Sequence, residues 1–210
     1  MARFIEIPAS KKSFECRRKV HGVGINDADY LTFNSEGTIK RCPYYQKWTA
    51  MLTRCYSEKC QKRQPAYIGC TVAKEWHLFS NFKKWMESQD WEGKQLDKDI
   101  LINGNKIYSP ESCIFVLPSV NLLFVDSKAT RGDCPQGVLL NKDGRYKSQC
   151  NNKGRNVFLG YYDDKFKASM TYMNYKYQLI ISTANEQKNI ILKNALLKKA
   201  EVFKEEYKYL

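Results

Sequence analysis

Two carboxylates, a lysine and an asparagine in the stretch Leu96–Asn121 have types and spacing that could hold a cation over a phosphate. Asp97, Lys98 and Asp99 follow the end of a predicted strand, and Asn121 stands in the first turn of a predicted helix. Carboxylate and amide oxygens are the hard ligands that Mg²⁺ and similar divalent ions take. The sequence therefore predicts a magnesium-like site made by Asp97, Asp99 and Asn121.

The same residues allow other roles. Aspartates commonly cap turns, so Asp97 and Asp99 could be purely structural. A lysine of ordinary pKa is protonated near pH 7 and cannot take a proton from water, so Lys98 is unsuited to be a general base. It could contact a phosphate instead.

A second set of polar side chains alternates along a predicted strand near residue 148. The residues of one face are Arg145, Lys147, Gln149 and Asn151. The basic residues at the neighbouring loop ends are Lys142, Lys153 and Arg155. Arginine and lysine can bond guanine edges or phosphates, and glutamine or asparagine can pair with adenine. The pattern predicts a sheet face that binds double-stranded DNA, with the solvated face of a half-buried sheet as the alternative.

Charge favours a polyanionic partner. The chain has 35 Lys and Arg against 22 Asp and Glu, a net charge of +13. Residues 128–210 carry 16 of the basic and 8 of the acidic side chains, so the surplus is concentrated toward the carboxyl end. Such a surplus favours nucleic acid, because binding releases condensed counterions. The 14 tyrosines and four tryptophans leave RNA binding by stacking as a weaker alternative.

Several elements must position these residues. Apolar stripes predict helices over 43–57 and 73–88, and Asn103–Gly104 predicts the turn of a hairpin within Leu96–Leu117. Pro118–Ser119 can start the helix that carries Asn121.

Tight turns at Asp143–Gly144 and Lys153–Gly154 predict three antiparallel strands, followed by a helix that opens at Asp163 and Asp164. Residues 189–207 predict a final amphipathic helix, which could pack back on a domain or pair with a second copy. These elements together predict an α+β protein.

The eight cysteines suggest an intracellular, reduced setting, because neither a signal peptide nor a membrane span is predicted. We therefore expect a cytoplasmic protein with no membrane partner. Zinc is not favoured, since the chain has no C-x-x-C pair and the nearest ligand spacing is Cys55 to Cys60.

The block from YQKWTAMLTRCYS through LDKDILINGNKIYSPESCIFVLPSVN, roughly residues 43–124, resembles the HNH endonuclease-like proteins of bacteriophages. The resemblance implies a ββα finger within a helical domain, binding one divalent ion. Asp97 stands at the first ligand position and Asn121 at the last. Lys98 replaces the general-base histidine, and Ser112 stands where the asparagine that orients this histidine is expected.

The block Gly137–Ile180 resembles the APETALA-type DNA-binding domain of plant ethylene-response factors and phage homing endonucleases. Its marks are Gly137-Val138, Gly144-Arg145-Tyr146, Leu159-Gly160-Tyr161-Tyr162, and a helix with Ala168 and Tyr172. The order of the two blocks is that of phage homing endonucleases, which implies a phage protein acting in the host cytoplasm.

The expected domain organisation has five parts. They are an irregular segment 1–42, an HNH-like domain 43–127, a linker 128–136, an APETALA-type domain 137–183 and a C-terminal helix 184–210. The expected function is duplex-DNA binding by a nuclease fold that has lost its base. The alternatives are an active metal-dependent endonuclease, and a binding module or inhibitor of a host protein built on a retired nuclease.

Overall fold

The computed structural model describes residues 4–34, 39–125 and 133–206 of the chain. Over these ranges the protein is a mixed α+β structure, as the sequence predicts. Two compact units can be distinguished. The first comprises Met1–Glu92 and Ile102–Phe115, and the second comprises Gly93–Leu101 and Val116–Leu210. The unit boundary falls inside the predicted 43–127 block, because Gly93–Leu101 groups with the second unit.

The helices and strands alternate along the chain. The α-helices of the described residues are α1 Lys11–Glu15, α2 Pro43–Tyr56, α3 Glu58–Arg63, α4 Phe79–Glu87, α5 Pro118–Leu122, α6 Lys165–Asn185 and α7 Ile190–Glu206. The strands there are β1 Thr71–Val72, β2 Gln95–Asp97, β3 Ile107–Tyr108, β4 Ile114–Val116, β5 Val138–Leu140, β6 Tyr146–Asn152 and β7 Arg155–Tyr162. Short 3₁₀ turns occupy Pro65–Tyr67 and Lys74–His77.

An aromatic core holds the first unit together. Helix α2 forms as its apolar stripe predicts, and Trp48, Met51 and Leu52 on that stripe are fully buried. The indole Nε1 of Trp48 donates a hydrogen bond to the carbonyl oxygen of Trp76 at 2.7 Å. This bond satisfies the one polar atom of a buried tryptophan, which would otherwise oppose its burial.

The predicted helix over 73–88 is divided in two, which corrects the sequence prediction. The 3₁₀ turn Lys74–His77 and helix α4 are separated by Leu78, whose backbone is extended. The amide of Ile25 donates to the carbonyl of His77 at 2.7 Å, and the amide of Phe79 donates to the carbonyl of Ile25 at 3.0 Å. Ile25, which is distant in the sequence, thus forms hydrogen bonds with the backbone groups on both sides of the break.

The turn at Asn103–Gly104 forms, with Gly104 in the left-handed region at φ +70°. The strands predicted at the two ends of this region, β2 and β4, pair with each other, but the turn does not join them directly. The strand that follows it, β3, pairs in parallel with β1, and Thr71 lies opposite Ile107. The reason is that Thr71 and Ala73 donate their amides to the carbonyls of Lys106 and Tyr108.

The second unit contains the predicted three-stranded antiparallel sheet, in the order β5-β6-β7. At the β6–β7 connection Lys153 and Gly154 both have positive φ, at 50° and 89°. Two such residues in succession give the tight hairpin turn that matches the twist of paired strands. The meander predicted from the turn residues is therefore confirmed.

Helices α6 and α7 complete the second unit. The side chain of Asp164 caps α6 by accepting the amide of Phe166 at 2.9 Å. Helix α6 packs against the sheet, and α7 packs against α6 with its apolar face, which buries Leu192, Leu196 and Ala200. Of the two expectations for the last helix, packing back on a domain is confirmed, and pairing with a second copy stays a prediction.

Part of the predicted linker 128–136 and the last residue of the helix predicted over 189–207 lie outside the described residues. Within the described ranges, no helix combines the length and the apolar character needed to cross a bilayer.

Candidate nucleic-acid interface

A β-bulge determines which side chains of the sheet face outward. Ser148 lies opposite Gly160, but the next residue, Gln149, lies opposite Phe158, so Leu159 is the extra residue of β7. Leu159 packs against the buried cluster that includes Cys150. The bulge thus lets β7 place Leu159 inward and still keep Phe158 on the outer face.

The predicted polar face of β6 points outward. Ser148 and Cys150 are buried, whereas the alternating Lys147 and Gln149 are partly exposed and Asn151 is exposed. Neither the Lys147 ammonium nor the Gln149 amide has a hydrogen-bond or ion-pair partner within the described part of the chain. Their placement agrees with the sequence prediction, and their contact with DNA stays a prediction.

Arg145 differs from the expected pattern because it lies in the turn before β6. Its Nε and Nη2 donate to one carboxylate oxygen of Asp143 at 3.1 and 2.9 Å. Its guanidinium carbon is 4.9 Å from the ring centroid of Tyr161. The backbone N–H and then the guanidinium of Arg145, by hydrogen bonding, lower the pKa of Asp143. Both partners are exposed, and the planar fork of Arg145 is already occupied.

Two other predicted contact residues also have internal partners. The Oδ1 atom of Asn151 accepts the amide of Gly154 at 3.0 Å, so this side chain shapes the hairpin turn. The ammonium of Lys153 pairs with Glu186 at 2.9 Å. By contrast, Lys142 and Arg155 are exposed, and neither has a side-chain partner in the ranges that the structure describes.

Two aromatic rings lie on the same outer face, and sequence reasoning did not select them. Phe158 is 54% exposed and Tyr161 is 45% exposed, and their ring centroids are 5.0 Å apart. They lie opposite Gln149 and Lys147 respectively. Gly160 within the strand was the available signal, because a glycine in a strand often marks a bulge that changes which residues face outward.

The predicted metal-binding segment forms a compact acidic turn in the second unit. Oδ1 of Asp97 accepts the amides of Asp99 at 2.9 Å and Ile100 at 2.7 Å. Nζ of Lys98, a residue only 5% exposed, lies 2.8 Å from Oδ2 of Asp99. Burial, and after it the charge of Asp99, raise the pKa of Asp97. Asp97 thus has the turn-capping role that the sequence left as an alternative.

Asn121, the third predicted ligand, lies in α5 and donates its Nδ2 to Oε1 of Gln95 at 2.8 Å. Its buried Oδ1 has no hydrogen-bond partner among the described residues. That oxygen is suited to a cation, but one Asp97 oxygen is held by two amides and Asp99 is already paired with an ammonium. A hard divalent ion needs about six oxygen ligands. These three side chains thus supply at most part of such a ligand set, and the metal site of Asp97, Asp99 and Asn121 stays a prediction.

Ser112, the other predicted site residue, belongs to the first unit and is buried. Its hydroxyl donates to the carbonyl of Ile107 at 2.7 Å and accepts the amide of Ser109 at 3.2 Å. These bonds fix the turn at Ser109–Ser112. In the structure Ser112 therefore stabilises local backbone, and its place in a catalytic site stays a prediction.

The cysteines form no disulfide within the described residues. The Sγ atom of Cys42 contacts the hydroxyl of Tyr30 at 3.4 Å, and that of Cys70 lies 3.9 Å from the carbonyl of Ala66. Over residues 4–34, 39–125 and 133–206, no group of three or more His, Cys, Asp or Glu side chains could hold a metal ion.

A comparison of the whole chain with protein-family models, curated proteins and solved structures found no match.

Proposed function

We propose that this protein binds double-stranded DNA through the outer face of the β5-β6-β7 sheet. The observation that carries the proposal is the position of Lys147 and Gln149, which project outward without partners among the described residues. Lys142 and Arg155 are exposed near the two turns of the same sheet. A sheet of this width suits the major groove, and flanking basic residues suit phosphates.

The exposed rings argue against a merely solvated face. A polar surface needs no aromatic side chains, yet Phe158 and Tyr161 each leave about half of their surface in water. Exposed apolar groups among charged ones are typical of surfaces that bind a partner. The net charge of +13 favours an anionic partner over a neutral one.

We further propose that the chain is a phage homing-endonuclease-like protein whose HNH-type nuclease site is retired. The support is its resemblance to that family together with the surroundings of Lys98. A buried ammonium paired with Asp99 stands where the resemblance expects a histidine base. General-base catalysis typically contributes about 10²–10⁴ in rate, so its loss would remove most of the cutting activity.

Binding is tested with the full chain and a fluorescent 30-base-pair duplex across several salt concentrations. We expect salt-sensitive binding, in which each lost phosphate contact reduces the magnitude of the negative slope of log K against log salt by about 0.9. The Lys142→Ala and Arg155→Ala variants should each weaken binding, whereas Lys167→Ala, an exposed lysine on α6, should leave it nearly unchanged. Absence of duplex binding at low salt would refute the proposal.

An active metal-dependent endonuclease is the second candidate. The observation that favours it is the Oδ1 of Asn121, which has no hydrogen-bond partner in the part of the chain that the structure describes. Supercoiled plasmid incubated with the full chain in Mg²⁺ or Mn²⁺ distinguishes the two. A retired nuclease binds the plasmid without nicking it. Nicking that disappears in Asp97→Ala would establish the active alternative.

A further inference from the structure

The residues Gln149 and Phe158 lie directly opposite each other at the middle of the outer sheet face. Lys147 with Tyr161 lies on one side of this pair, and Asn151 with Asn156 lies on the other. The pair thus combines one amide with one apolar ring at the centre of the surface.

We propose that Gln149 and Phe158 together recognise an A·T base pair in the major groove. This inference rests on the proposed duplex-DNA binding and specifies which base pair the sheet prefers. Glutamine has one donor group and one acceptor group, which match the N6 amino group and the N7 acceptor of adenine. Guanine presents two acceptors there, so the amide oxygen of Gln149 would lack a partner.

Phe158 supplies the second half of the recognition. The thymine methyl is the apolar group that an A·T pair presents in the major groove, and an aromatic side chain can contact it. Phe158 is 54% exposed and stands across the strand pair from Gln149, with its ring backed by that of Tyr161. The amide of Gln149 is therefore complementary to an adenine edge, and the ring of Phe158 is complementary to the thymine methyl of the same or an adjacent base pair.

Arg145, one residue that could favour guanine, is less available than Gln149. Arginine bonds guanine with its planar fork, but the fork of Arg145 is held by Asp143. Asn151 is a third amide, yet its oxygen accepts the Gly154 amide. Among the predicted contact residues of β6, Gln149 is therefore the amide side chain without a partner in the described ranges, and it can pair with a base.

The first experiment selects duplexes from a random library with the full chain. We expect enriched sequences to share an A·T pair whose replacement by G·C weakens binding about tenfold. Replacing that adenine by 7-deazaadenine, which lacks N7, should weaken binding to wild type but not to Gln149→Ala. Replacing the thymine by uracil should weaken binding to wild type but not to Phe158→Ala.

Gln178→Ala, an exposed glutamine on α6, is the matched control and should keep the preference. Selection of a G·C pair, or an A·T preference that survives in Gln149→Ala, would overturn the inference. Duplex binding without base preference would also overturn it while leaving the proposed function intact. Failure to bind any duplex would overturn both.

Discussion

The hydroxyl of Ser148 donates a hydrogen bond to the carbonyl oxygen of Ala168 at 2.9 Å, and both residues are fully buried. This bond joins the middle strand of the sheet to the first turns of α6. It fixes the inward side of β6 and therefore the outward direction of the neighbouring Lys147 and Gln149. Side chains that never reach the surface thus determine the proposed interface.

Ser148→Ala should lower the free energy of unfolding by about 1 kcal/mol, because a buried hydrogen bond typically contributes that much. Urea denaturation followed by circular dichroism measures the change. Asn174→Ala, at an exposed position on α6, serves as the control and should change stability little. Equal stability of wild type and Ser148→Ala would show that the bond does not hold the helix to the sheet.

Gly137→Ala should destabilise the protein strongly. Gly137 has φ +77°, and a Cβ built there would lie 2.0 Å from the ring of Tyr172. The left-handed backbone costs about 1–2 kcal/mol for a non-glycine residue, and the overlap with the ring adds about 1–3 kcal/mol. Gly144→Ala is the matched control, because its φ is +83° and a Cβ there meets nothing within 4 Å.

Both glycine variants are compared by thermal and urea unfolding. We expect Gly144→Ala to show only the backbone penalty and Gly137→Ala to show both penalties. A similar loss of stability in the two variants would mean that Tyr172 moves aside at little cost.

Lys176→Met should stabilise the protein and make its stability less dependent on alkaline pH. Lys176 on α6 is 4% exposed, and burial lowers its pKa below the ordinary 10.5, an effect that Cys150 partly opposes. Between the folded-state pKa and 10.5 the unfolded chain binds more protons than the folded one. The stability that this group contributes therefore rises with pH across that window and is lowest below it.

Urea midpoints of wild type and Lys176→Met are compared at pH 7 and at pH 9.5. The variant should be more stable at pH 7 by at least about 1 kcal/mol, and its advantage should shrink as pH rises. Lys167→Met, an exposed lysine on the same helix, should show neither effect. A stability advantage of Lys176→Met over wild type that grows with pH would contradict a lowered pKa of Lys176 in the folded state.

Glu186→Gln should raise duplex affinity about twofold without changing stability by more than about 0.5 kcal/mol. Both side chains of the Lys153–Glu186 ion pair are exposed, and exposed ion pairs contribute little to the stability of the fold. Removing the carboxylate leaves Lys153 available for a phosphate. Glu92→Gln in the first unit makes the same charge change and is the control in the salt-dependent binding assay.

Local signals in the sequence determined much of the second unit. Asp143–Gly144 and Lys153–Gly154 located the turns, and the alternation around Ser148 gave the outward face of β6. The capping aspartate located the start of α6 closely. These signals succeed because turns, caps and strand alternation depend on residues that lie only a few positions apart.

Tertiary structure alone decided the remaining features, since their partners are distant in the sequence. The backbone of Ile25 forms the hydrogen bonds that divide the predicted helix at Leu78. The strand that follows the Asn103–Gly104 turn, β3, pairs with β1 rather than across the turn. The bulge that places Phe158 opposite Gln149 depends on Leu159 filling a core built partly by α6. Pattern and charge indicate that a surface is basic, whereas register and packing decide which side chains on it are free to bind.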